Sequence, residues 1–212
     1  MIKQSIYLSY LSSLLEGDKD KCGSILRMLL EEGTELKDIY INLFQRSMYT
    51  IGNKWVKGEI SIAAEHIATH ITKHLMSIAL ASSPKAEPVE KCILLFCVDK
   101  EFHEIGMRMV ADIFDINGWK NYSLGANCPP RCILAAIKEK KPDVIGISFN
   151  FYINVARFYD IVHAIRKHYP KQNIIIGGQA AGTLHKDNPV ILEGIRYLKT
   201  LDDVENYILE WK

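Results

Sequence analysis

Past residue 90 the sequence alternates between short apolar runs and amphipathic stretches. CILLFCV (92–98), DVIGISFN (143–150) and NIIIGG (173–178) are compact apolar runs bounded by turn residues. Each is short for a helix and the right length for a strand covered on both faces. WKNYSLG and IRYLKT supply two more candidate strands. Between and after them come EIGMRMVADIFDING, PPRCILAAIKEKK, VARFYDIVHAIRKHY and DDVENYILEWK, each apolar at helical spacing. Such alternation predicts a doubly wound α/β domain around a five-stranded parallel sheet. Ligands of these sheets gather beyond the C-terminal strand ends. That singles out the loops after Val98, Leu124, Phe149 and Ile176.

The sequence before this region has a different period. IYLSYLSSLLEG and CGSILRMLLEEG are apolar at helical spacing and end at Gly17 and Gly33, as helix C-termini often do. Thr34 is a candidate cap for a third helix running through ELKDIYINLFQRSMYTIGNKWVKG, with Lys37 where a capping box would want Glu. Ser61 is the candidate cap of a fourth, IAAEHIATHITKHLMSIAL. Four helices with short connections predict a bundle. The stretch SSPKAEPVE, rich in proline and small residues, reads as a linker. The expected division is a four-helix domain over 1–82 and an α/β domain over 90–212.

Charge and composition narrow the partners. The net charge is +1, with no basic stripe, so no direct nucleic-acid contact is expected. No apolar run approaches the ~18 residues that span a bilayer, and the N-terminus lacks the ordered regions of a signal peptide. The expected location is the cytoplasm, away from membranes. Five cysteines, an odd number without zinc-knuckle spacing, read as reduced thiols; Pro129 and Pro130 separate Cys128 from Cys132.

The loop after the first apolar run reads DKEFHEIG. His103 stands where a ligand would be met. Glu101, two residues earlier, can hold the second ring nitrogen, which fixes the tautomer and raises basicity. Phe102 and Glu104 flank the histidine, and Gly106 allows close approach at the start of the next helix. By itself this trio reads first as a surface-loop histidine beside an acid. The third strand, however, ends in Ser148-Phe149-Asn150 and the fourth in Gly177-Gly178-Gln179, small residues that can leave a slot, although glycines are also ordinary turn residues. Leu124 and Gly125 end the second strand.

The set E-x-H-x-x-G, Ser, Gly-Gly resembles the cobalamin-binding domain family, whose usual form is D-x-H-x-x-G, S-x-L and G-G. The resemblance extends to the helical half, which is similar to that family's cap, so it covers nearly the whole chain. It implies a four-helix cap followed by a flavodoxin-like sheet, with cobalamin held between them. It also implies that the benzimidazole tail leaves cobalt and enters the slot, and that His103 replaces it as lower axial ligand. Glu101 stands for the usual Asp, and Asn150 for the usual Leu, which bears on the lining of the slot.

Glu101 points to a subgroup, the MerR-related photoreceptor regulators that use adenosylcobalamin. GWKNYSLGANCP and GGQAAG are similar to that subgroup's segments. Trp55, nine residues and then Glu65-His66 match its W-x9-E-H cap motif. An indole can shield an organic upper ligand, while Glu and His can hydrogen-bond a ribose or water; the other reading is a core tryptophan and an exposed pair. Ile62 occupies a position often smaller in the subgroup. Val56 stands where well-known members carry a histidine that reaches cobalt after light, and valine cannot ligate. His66, His70 and His74 recur at i, i+4 and i+8, a spacing that can bind a transition metal but that also suits a polar face.

The implied function is a cobalamin-binding sensor, more a binding protein than an enzyme. Adenosylcobalamin is the favoured form, with methyl- and hydroxocobalamin as alternatives. The bundle begins within the first residues, so no DNA-binding domain is expected in the chain. A protein partner follows, a transcription regulator or a methyltransferase, with homo-oligomerisation also open. The competing reading is a corrinoid methyl carrier.

Overall fold

The structure, a computed structural model, describes residues 2–186 and 193–211. The chain forms two compact units, Met1–Pro84 and Lys85–Lys212. The six residues 187–192 of the expected α/β domain lie outside the described residues.

In the first unit, α1 (Gln4–Glu16) ends at Gly17 in the left-handed conformation, and α2 (Lys19–Glu31) is capped by Asp18. The third helical run is continuous but not uniform. It starts as α3 (Leu36–Ile39), widens to a π-helical turn at Tyr40–Gln45 and continues as α4 (Arg46–Val56). Glu35, not Thr34, is its N-cap, without a side-chain bond, so the expected Thr34 cap is corrected. The amide of Thr34 instead closes α2 by binding Leu29 O. Ser61 caps α5 (Ile62–Ala81), its Oγ accepting from Ala64 N at 3.1 Å. Tyr10, Leu14, Leu26, Tyr40, Phe44, Leu75 and Met76 form the buried centre.

The second unit is a five-stranded parallel sheet in the order β2-β1-β3-β4-β5, the flavodoxin-like order, with a switch point between β1 and β3. The strands are β1 (Cys92–Val98), β2 (Lys120–Cys128), β3 (Val144–Ser148), β4 (Asn173–Gly177) and β5 (Ile195–Tyr197). The helices are α6 (Ile105–Ile116), α7 (Pro130–Lys140), α8 (Val155–His168) and α9 (Leu201–Leu209). Leu94, Phe96, Ile145, Ile147, Ile174 and Ile176 pack against Ile133, Ile137, Phe158 and Ile161 of α7 and α8. α6 and α9 pack together through the edge-on rings Phe114, Trp119 and Trp211.

The stretch before β1 is fastened to this unit. Ala86 N donates to Ile116 O at 2.8 Å and Val89 N to Gly118 O at 2.9 Å. Lys85 pairs with Asp115 at 2.6 Å. Gly118 has φ 84°, and a Cβ there would lie 2.2 Å from Glu87 O, so only glycine permits the approach. Among the described residues no helix is long and apolar enough to cross a membrane.

Candidate functional site: a histidine loop at the switch point

β1 ends at Val98, and the chain turns at once through Lys100, whose φ is +63°. Two bonds hold that turn against the end of β2. Lys100 N donates to Asn127 Oδ1 at 2.9 Å, and Asn127 N donates to Glu101 O at 2.8 Å. Asn127 is itself left-handed, with φ +53°, a conformation that asparagine tolerates better than most residues.

The turn buries Glu101 completely. A buried carboxylate must fill its lone pairs, and Glu101 does so. Oε1 accepts from His103 N at 3.0 Å and from His103 Nδ1 at 2.7 Å. Oε2 accepts from Asn150 N at 2.8 Å, Phe151 N at 3.3 Å and Asn154 Nδ2 at 3.1 Å. Burial pushes the carboxyl upward, but the bonds from the His103 ring, the Asn150 and His103 amides and the Asn154 side chain outweigh it and hold the pKa at about 2. The group is therefore ionised and acceptor-only, so the proton between the two residues sits on Nδ1. Nε2 is the ring nitrogen turned away from the carboxylate. The His103 side chain is 58% exposed, with Phe151 edge-on at 4.7 Å.

Asn150 reaches both ways across the strand ends. Its Nδ2 donates to His103 O at 3.0 Å, and its Oδ1 accepts from Gln179 N at 3.2 Å. Ser148 is the register partner of Cys97 on one side and of Gly177 on the other, so small residues follow one another across the sheet edge. Gly178 has φ +100°, and a Cβ there would lie 2.1 Å from Phe149 O. Phe149 itself turns into the core and stacks on Phe158. Gly106 lies in the first turn of α6 with nothing within 4 Å of a would-be Cβ. Phe102 is exposed.

Leu124 and Gly125 need a correction: they do not end β2 but lie inside it, since the strand runs on to Cys128. The polar, half-exposed end of this edge strand keeps pairing with β1 to Cys128. Leu95 pairs with Ser123 and Phe96 with Gly125, so Leu124 is the extra residue of a bulge. Gly125, at φ +81°, faces Glu104 Oε2, which would lie 3.2 Å from a Cβ.

In the first unit, Trp55 ends α4 at 44% exposure and so is not a core aromatic; Val56 beside it is 77% exposed. Ile62 is also exposed. Glu65 accepts from Thr69 Oγ1 at 2.8 Å and pairs with His66 Nδ1 at 2.6 Å. His66, His70 and His74 are all exposed. Among the described residues no three His, Cys, Asp or Glu side chains group as metal ligands.

Three contributors escaped the sequence reading: Asn127, Phe151 and Asn154. Asn154, buried at the start of α8, had one available signal, an amide at a helix N-cap in a loop already singled out.

An imidazole oriented by an ionised carboxylate, beside a lane of small residues at a switch point, suits the lower face and tail of a corrinoid. Comparison with known proteins agrees. The family described as "B12 binding domain" matches residues 91–192, and a second family of the same description matches 9–80. The HTH-type transcriptional repressor CarH of Myxococcus xanthus is 24% identical over 136 residues, 64% of this chain and 45% of its own length. The chain thus spans less than half of that repressor. Trimethylamine corrinoid protein 2 of Methanosarcina mazei is 21% identical over 149 residues, 69% of this chain and 68% of its own. The solved monomethylamine corrinoid protein of Methanosarcina barkeri has the same fold, with TM-score 0.81 and 16% identity over the whole of both chains. Both units of this chain thus match a family described as B12 binding domain.

Proposed function

We propose that the chain is a cobalamin-binding sensor in which His103 is the lower axial ligand of cobalt. The observation that carries this reading is the Glu101–His103 pair, an ionised carboxylate 2.7 Å from Nδ1. Glu101 orients the ring and raises the basicity of Nε2. Ser148, Gly177, Gly178 and Gln179 receive the nucleotide tail. Phe102, Glu104, Gly106, Leu124, Gly125 and Asn150 border the corrin. In the helical unit, Trp55, Ile62, Glu65 and His66 are the candidate cofactor-contacting residues, Trp55 as an apolar shield and Glu65-His66 as hydrogen-bonding groups. Cobalt, when bound, supplies an alkyl–metal bond that light or a nucleophile can open; the protein sets ligand, polarity and access. Adenosylcobalamin is the favoured form because a half-exposed Trp55 suits a large organic group.

The sensor acts through a protein partner, in the cytoplasm, without direct nucleic-acid contact. A methyl carrier working with a methyltransferase is the second reading, favoured by the match to 68% of a trimethylamine corrinoid protein. Titration of wild type and Trp55→Ala with adenosyl- and methylcobalamin separates them. The sensor reading expects tight adenosylcobalamin binding that Trp55→Ala weakens. Preference for methylcobalamin with no effect of Trp55→Ala supports the carrier. For the ligand itself, His103→Ala is expected to abolish the histidine-ligated absorption spectrum of bound hydroxocobalamin, and an unchanged spectrum refutes the assignment.

A further inference from the structure

Asn150 is the residue whose side chain bonds to the loops on both sides of the β3 end. Its Nδ2 donates to the carbonyl of His103, and its Oδ1 accepts from the amide of Gln179. Its own amide donates to Glu101, so the residue cannot shift without disturbing the carboxylate that orients the imidazole. On the far side, Gln179 follows Gly178, whose backbone is pressed against Phe149 O and kept in a left-handed conformation. The two ends of one amide therefore connect the backbone carbonyl of His103 to the residue that follows the glycine pair. Hydrogen bonds of this kind let two loops adopt their bound arrangement together.

We infer that Asn150 is a positioning residue that couples occupancy of the glycine-lined lane to histidine ligation, so that the site selects corrinoids carrying a nucleotide tail over those without one. This rests on the cobalamin reading above and adds a specificity to it. A tail seated at Gly177 and Gly178 fixes Gln179, Gln179 fixes the Asn150 amide, and the amide fixes the His103 carbonyl. A corrin without the tail meets only the histidine end and gains nothing from the connection.

The test compares hydroxocobalamin with aquacobinamide, the same corrin lacking the nucleotide, in the full chain. The readouts are affinity and the cobalt absorption spectrum. Asn150→Ala removes both ends of the strap. It is expected to lower the preference for hydroxocobalamin over aquacobinamide by about tenfold, within the roughly 5–150-fold usual for coupled sites, hydroxocobalamin affinity falling further than aquacobinamide affinity. Asn150→Asp keeps an acceptor for Gln179 N but no donor for His103 O, and the same fall in preference is expected. It also serves if the alanine variant folds poorly. Equal losses for both ligands, or an unchanged preference, would overturn the inference, since a residue that merely shapes the loop affects both alike. His103→Ala separates the two levels of argument. If it leaves the hydroxocobalamin spectrum intact, the ligand assignment fails whatever Asn150 does.

Discussion

His103 and Glu101 lie two residues apart, and their pairing needs only the turn at Lys100, so the sequence could display it. Asn154 lies 53 positions from Glu101, and nothing local announces that it closes the same carboxylate. This is why the pair was legible and its support was not. Glu101→Gln, which weakens the acceptor and introduces a donor, is expected to reduce cobalamin affinity by about 10–100-fold, measured by titration. Asn154→Ala leaves a buried charge short of one bond, at a cost of about 1–3 kcal/mol; denaturant melts should show it in the protein without ligand. Val56 is the residue-scale test of the upper side. Its wide exposure leaves room for a longer side chain. Val56→His, loaded with adenosylcobalamin and illuminated, is expected to develop a bis-histidine absorption that the native protein lacks. The same absorption in the native protein would show that another histidine already reaches the metal.

Strands differed in how plainly they could be read. β1, β3 and β4 are interior, covered on both faces, and so appear as unbroken apolar runs. β2 is an edge strand with partly exposed residues along most of its length, and its last residues, past Gly125, looked like a loop. Backbone pairing with β1, not side-chain pattern, carries it to Cys128. The π-helical turn at Tyr40–Gln45 was equally hidden, because Tyr40, Leu43 and Phe44 are as apolar as an α-helical face requires. Gly178 was legible as a glycine but not for its reason. With φ +100° and Phe149 O where a Cβ would go, Gly178→Ala should destabilise the α/β unit by about 1–3 kcal/mol. A thermal melt followed by circular dichroism checks this, and an unchanged midpoint would mean that the two strand ends can part freely.

The order of elements and the chirality of parallel crossovers together leave few topologies open, which is why the two-unit plan could be read from periodicity alone. The manner in which the second unit begins could not. SSPKAEPVE has the composition of a connector, yet Lys85, Ala86 and Val89 are bound to the α6–β2 corner through Asp115, Ile116 and Gly118, and Glu87 lies close against Gly118. The α/β unit therefore has a selvedge, a finished border woven from residues that belong to no strand or helix. A cassette cut for grafting should start at Lys85. One cut at Lys91 leaves the carbonyls of Ile116 and Gly118 to water and forfeits about 2 kcal/mol, so the shorter fragment is expected to melt roughly 5–10 °C lower. Equal melting points would show the border to be decorative. If it is not, swaps of the α/β unit made at Lys91 will lose stability for want of six residues that look dispensable.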